Sequence, residues 1–287
     1  MSSSFPVCPV LEDLNLKYCT FRVKIFCISI PTLKFLKLSS TYEVEDCLQD
    51  CSLKIHAPGL VSLLCQSNVP KEFILSTPAL VEAEVAVLLN DYYVPTTEQR
   101  IGDAETISRF LRALTHVRRL SVSERTLQLL FFADNKLKNL PTFHNVKQLT
   151  ITEEVDSHEL FIALLKATPN LESLVFDNLV TTSYPARKVD MVNIGCLFSR
   201  LKFICFRQFI GKPREMKLVK LILKNAKHLQ TMIISYGAET SICMDDRKSK
   251  EELMVEVPNI PRASSSCLFK FSSFFFTLLY DDELIPT

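Results

Sequence analysis

The sequence predicts an α/β fold, an irregular repeat solenoid in which a concave parallel sheet is backed by helices on the convex side. Three observations carry this prediction. A phrase of the form L-x-x-L-x-L, with any large aliphatic residue or Phe accepted, recurs nine times. Its starts lie between 20 and 37 residues apart, most of them near the roughly 20–29 residues of a leucine-rich repeat. Its fourth and sixth positions alternate with polar ones, which is the period of a half-buried strand.

The phrases run in order as LEDLNL (11–16), LKFLKL (33–38), LVSLLC (60–65), LVEAEV (80–85), VRRLSV (117–122), VKQLTI (146–151), LESLVF (171–176), LKFICF (201–206) and LQTMII (229–234). One repeat cannot cover the inward residues of its own strand, so neighbours must stack into a shared core. Helical stretches separate the later phrases. Residues 104–115 set Ile107, Phe110, Leu111 and Leu114 on one face. Ser157 is placed to cap HELFIALLKAT, whose Leu160, Leu164 and Leu165 form an apolar stripe. Residues 214–227 bring Met216, Val219, Ile222 and Leu223 together at the same spacing. Segments 39–58 and 86–103 carry no such pattern and are expected to be irregular convex connections. APGL (57–60) and TPAL (77–80) place a proline just ahead of a strand, where its missing donor costs little. The apolar run 268–280 includes Lys270 and is shorter than the roughly 20 residues of a membrane span. It is expected to be a buried strand or an irregular tail.

Composition narrows the function classes. Apolar residues make up 47% of the 287, enough for a continuous core. The 33 basic and 32 acidic residues leave a formal charge of +1, so no global field draws the chain to nucleic acid or anionic membrane. Only 5 glycines are present, and no GxxxxGK[ST], GxGxxG or GxSxG occurs. The 10 cysteines form no CxxC pair. Several sit inside apolar runs, which reads as reduced, buried thiols in a cytoplasmic or nuclear protein. Cys47 and Cys51 share a helical spacing without a nearby histidine, which is weak support for a metal. Asp245, Asp246, Glu251 and Glu252 lie in MDDRKSKEEL, expected to be a solvated loop. No residue is assigned a catalytic, cofactor-binding or metal-binding role, and an enzyme is not expected.

CPVLEDLNLKYC (8–19), IPTLKFLKLSS (30–40), LKIHAPGLVSL (53–63), TPALVEAEV (77–85), FLRALTHVRRLSV (110–122), LPTFHNVKQLTI (140–151) and LLKATPNLESLVF (164–176) together resemble plant F-box/LRR-repeat proteins. Residues 196–234, and PRASSSC at 261–267, resemble the FBD domain that closes such proteins. The resemblance implies a leucine-rich-repeat region over 1–180, FBD-like C-terminal repeats over 181–267 and an atypical apolar tail over 268–287. It also implies the substrate-recognition part of an SCF-type ubiquitin-ligase subunit. Because the first phrase starts at Cys8, no F-box is expected ahead of it, and a Skp-type adaptor is expected as a partner only where an F-box is restored. The alternative is a stand-alone scaffold or antagonist without ligase coupling.

In either case the expected partner is a protein held on the concave face, with no nucleic acid, membrane or cofactor. The third, fifth and seventh phrase positions supply that face: Asp13, Asn15, Lys17, Phe35, Lys37, Glu82, Glu84, Arg119, Gln148, Thr150, Asp177, Phe203 and Arg207. Aromatic and arginine side chains dominate interface energies, which singles out Phe35, Phe203, Arg119 and Arg207 as anchors.

Overall fold

A computed structural model of the chain describes residues 2–4, 8–19, 23–40, 51–88, 96–132, 140–152, 158–177, 195–237 and 248–273. It falls into two compact units, Met1–Val146 and Lys147–Thr287.

The first unit is built on a recurring turn. In Cys8–Leu11, Ile30–Leu33, Ala57–Leu60 and Thr77–Leu80 the last amide donates to the first carbonyl, at 3.3, 3.2, 3.0 and 3.2 Å. A proline stands second in each, where its fixed φ suits a β-turn. Each turn launches a strand: β2 (Asp13–Lys17), β4 (Phe35–Ser39), β6 (Ser62–Ser67) and β8 (Glu82–Val87). With β9 (Arg119–Val122) they form a parallel sheet in the order β2-β4-β6-β8-β9. The inward positions Leu14, Leu36, Leu38, Leu63, Cys65, Ala83, Val85, Leu120 and Val122 are buried.

Helices are not what lies between the early strands. The chain returns through a second parallel sheet, in the order β1-β3-β5-β7 (Ser2–Ser4, Ile25–Ser29, Ser52–His56, Glu72–Ser76). This corrects the expectation of irregular connections and helices behind the early phrases. SLKIH alternates apolar and polar side chains, and both it and the apolar run IFCIS alternate in burial, hiding Phe26, Ile28, Leu53 and Ile55. That is a strand signature compressed into connections too short to hold a helix of several turns. After β8 the segments lengthen and helices take over. Helix α1 (Thr97–Ala113) opens with a capping box, Thr96 accepting from Gln99 N at 3.2 Å and Gln99 accepting from Thr96 N at 2.8 Å. It packs on β7, where the Phe73 and Phe110 rings stack at 3.8 Å. It starts seven residues before the apolar stripe suggested, because its cap lies in the polar TTEQ stretch. A second helix, α2 (Glu124–Phe132), was not anticipated. Its start is fixed by buried Ser123, whose hydroxyl accepts from Thr126 N at 3.3 Å.

The second unit holds the parallel order β10-β11-β12-β13-β14. These strands are Gln148–Ile151, Ser173–Phe176, Phe203–Phe209, Thr231–Tyr236 and Leu268–Ser273. Helices α3 (His158–Ala167), α4 (Pro213–Asn225) and α5 (Lys250–Glu256) lie between them in sequence. Thr168–Leu171 repeats the proline turn of the first unit at 3.2 Å. One side of the sheet buries Leu149, Leu174, Phe176, Ile204, Phe206, Met232 and Ile234, with Phe206 stacked on Phe176 at 5.1 Å.

One expectation needs correcting here. Glu251 and Glu252 occupy the first turn of α5, capped by Ser249, so this part of the charged stretch is helical. The expected strand of the tail forms over Leu268–Ser273, pairing with β13. Ser157, Cys47, Asp245, Asp246 and residues 274–287 lie outside the described residues.

Candidate protein-interaction face

Parallel pairing puts residues of equal phase side by side, so the outward positions of the first unit's sheet form registered rows. Asp13, Phe35, Ser62, Glu82 and Arg119 make one row. Asn15, Lys37, Leu64, Glu84 and Ser121 make the next, followed by Lys17, Ser39, Gln66 and Ala86. At about 4.8 Å between strands, the first row spans roughly 19 Å.

Phe35 is 48% exposed and stands between two short polar neighbours, Asp13 and Ser62. An aromatic ring left this open on a β-sheet forgoes burial, which is a cost unless another surface covers it. Around it Asp13, Glu82 and Glu84 are balanced by Lys17, Lys37 and Arg119. The charges mix rather than form a basic stripe. Arg119 is already engaged, its Nη2 2.7 Å from Glu82 Oε2, with the two side chains 42% and 36% exposed. One row edge is further pinned by Lys34 and Glu12 at 2.7 Å. Such exposed pairs contribute about 0–1 kcal/mol each, so they orient the side chains more than they stabilise the fold.

Eight of the sequence-predicted face residues are therefore brought together: Asp13, Asn15, Lys17, Phe35, Lys37, Glu82, Glu84 and Arg119. Ser62, Leu64, Gln66 and Ser121 belong to the same face and were missed. The phrase LVSLLC was recognised, but the outward-position rule was not applied to it.

The other five lie in the second unit, where the equivalent side of the sheet is different. Gln148 and Thr150 on β10 are half-buried. Asp177 and Arg207 pair at 2.9 Å, with Arg207 only 14% exposed. Phe203 is not an exposed anchor. It is 4% exposed and packs with Val175, Cys205 and Ile233. SLVF, FICF and MII are apolar at both phases, the pattern of strands buried on both faces.

At the strand starts of this unit, Glu172 takes Lys147 Nζ on one carboxylate oxygen and Lys202 Nζ on the other, both at 2.6 Å. These two ammonium groups hold its pKa down at about 2. Glu215, by contrast, is buried at the N-terminal turn of α4. Its Oε2 accepts from Lys212 N at 2.8 Å and Ile210 N at 3.2 Å. Its Oε1 has no partner among the described residues. Burial outweighs the amides and pushes its pKa up to about 7. Among the described residues no group of three His, Cys, Asp or Glu side chains is arranged to hold a metal ion. No described helix is long and apolar enough to cross a membrane.

Comparison with known proteins shows what the chain is similar to. Residues 193–234, which include β12, α4 and most of β13, match the FBD family. The chain is similar to plant F-box/FBD/LRR-repeat proteins. It is 28% identical over 270 residues to one F-box/FBD/LRR-repeat protein of Arabidopsis thaliana, covering 91% of this chain and 59% of the relative. A second protein of that description and organism is 27% identical over 277 residues, covering 92% and 55%. An Arabidopsis F-box/LRR-repeat protein is 26% identical over 285 residues, covering 93% and 57%. The chain thus spans a little over half the length of these relatives. No solved structure matches it.

Proposed function

We propose that this chain is a protein-interaction module, a leucine-rich-repeat solenoid closed by an FBD-like unit, that holds a protein partner on the outward face of β2-β4-β6-β8-β9. The observation that carries the reading is the registered face itself, with half-exposed Phe35 on β4 and balanced charges around it. An open aromatic surrounded by mixed charges suits a protein surface better than a polyanion. Kinship with F-box/FBD/LRR-repeat proteins supports the same class. The repeat region is assigned to 1–180, the FBD-like repeats to 181–267 and the tail to 268–287; the FBD match at 193–234 supports the middle assignment.

On this reading the module performs no chemistry. It positions a partner, and in an SCF-type ligase the transfer of ubiquitin would belong to other subunits. Coupling to a Skp-type adaptor belongs to the F-box named in the relatives, so this face is assigned the substrate side of the assembly.

Affinity capture from plant extract with the wild-type chain and the Phe35→Ala/Arg119→Ala double variant, read by quantitative mass spectrometry, tests the proposal. Proteins held through this face should fall at least tenfold with the variant while its thermal melt stays within a few degrees. An unchanged set of captured proteins would refute it.

A further inference from the structure

The second unit carries a polar cleft of about 410 Å³ that the interaction face does not use. It lies where the chain turns into successive strands of the sheet. In those turns Leu201 N, Leu229 N and Cys267 N close on the carbonyls of Phe198, Ala226 and Ser264 at 3.2, 3.4 and 3.5 Å. All three of these last residues are buried and fix the turns in place. One residue before each buried Leu or Cys comes Arg200, His228 and Ser266, and one before the first two comes Ser199 and Lys227. The repeat geometry therefore stacks Arg200, His228 and Ser266 in adjacent turns, and all of these side chains line the cleft.

The electrostatics of the cleft are one-sided. The one carboxylate in its lining is Glu172, already matched by Lys147 and Lys202. Arg200 and Lys227 are exposed, and neither has a hydrogen bond or ion pair among the described residues. Of the remaining lining groups, Ser199, His228, Gln230 and Ser266 are able to donate a hydrogen bond, while the Ser264 hydroxyl already donates to the Leu229 carbonyl at 2.6 Å. Two cations without a partner among the described residues, and several donors facing one concavity, are more than a single carboxylate needs. A phosphate monoester brings nearly two charges and three strong acceptor oxygens. Arginine can grip it with two parallel hydrogen bonds.

We infer that this cleft binds a phosphorylated side chain of a protein partner, with Arg200 and Lys227 as its charge partners. The inference deepens the protein-interaction reading by naming a partner chemistry. It concerns a different surface, so it stands or falls separately from the Phe35 face.

The test uses the full chain and a short phosphoserine peptide with Gly and Ala neighbours, titrated by calorimetry beside its unphosphorylated form and inorganic phosphate. The phosphopeptide should bind, weaken as sodium chloride is raised, and lose at least tenfold in affinity with Arg200→Ala/Lys227→Ala. Both substituted side chains are exposed, and an unchanged far-ultraviolet melt verifies that the variant folds. A charge-reversed Lys227→Glu variant, made separately, should abolish binding. Equal binding of the unphosphorylated peptide, binding unaffected by the double substitution, no binding of the phosphopeptide, or inorganic phosphate as tight as the phosphopeptide would each overturn the inference.

Discussion

Glu215 makes the pH dependence of folding a direct probe of the second unit. Its carboxyl is 2% exposed and its pKa stands at about 7 in the fold against 4.5 as the ordinary value. The folded state therefore holds a proton that the unfolded chain gives up, and stability falls as pH rises through that interval. Below pH 4.5 both states are protonated and the contribution is constant. Above pH 7 both are ionised and the full cost of a buried carboxylate is felt. At about 1.4 kcal/mol per pK unit, the loss across the window is about 3 kcal/mol. Glu215→Gln keeps an oxygen for the Ile210 and Lys212 amides and has no charge to bury. The assay is urea unfolding followed by circular dichroism from pH 4.5 to 8, for wild type and variant. The difference in unfolding free energy, wild type minus variant, should fall by about 3 kcal/mol over that range. Parallel curves would mean that Glu215 ionises in the fold at its ordinary pKa, and that the amides and the helix terminus outweigh burial.

Other consequences follow from the same packing. Glu172 is held ionised down to about pH 2 by Lys147 and Lys202, so its stabilisation is present above pH 4.5 and disappears as pH falls toward 2. Because the site is near the surface, Glu172→Gln should cost only about 0.5–1 kcal/mol in urea melts at pH 7, and nothing at pH 2. Phe206 is fully buried against Phe176 and Phe209. Phe206→Ala should lower unfolding free energy by about 3–5 kcal/mol in chemical denaturation, and a cost below about 1 kcal/mol would place that ring outside the core. At Gly59 an added Cβ would sit 2.8 Å from the Pro31 carbonyl oxygen, where one turn stacks on the turn before it. Gly59→Ala should therefore destabilise by about 1–3 kcal/mol, whereas Ala79→Ser, at the equivalent place in the next turn, should be near neutral.

The sequence disclosed the repeated strand well, because two signals coincide at each phrase. Proline in the second position of a turn and alternating leucines beyond it both point to the same short strand, as in IPTLKFLKL. Helices α3 and α4 were legible from their apolar stripes. The second sheet was not. Its strands are five residues or fewer and sit in connections where a helix search finds nothing, although the alternation in SLKIH was available to a strand search. Face residues were legible where only one phase of the strand is apolar, as in DLNLK and FLKLS. They were misread where both phases are apolar, since period alone does not tell which side of FICFRQF meets solvent. The ion pairs Glu82–Arg119 and Asp177–Arg207 needed the register, because their members lie 37 and 30 residues apart. Lining of the cleft by Arg200, Lys227 and His228 also required knowing how successive turns stack.

The central claim, that a protein partner docks on the outward face of β2-β4-β6-β8-β9, is most directly tested by placing a photo-crosslinker on each sheet of the first unit. Benzoylphenylalanine would replace Phe35 in one chain and Ile74 in the other. Ile74 is 42% exposed on β7 of the second sheet, against 48% for Phe35, so the two sites differ in location rather than in access. Partner adducts are expected from position 35 and none above background from position 74. Equal adducts from both, or adducts from position 74 alone, would contradict it.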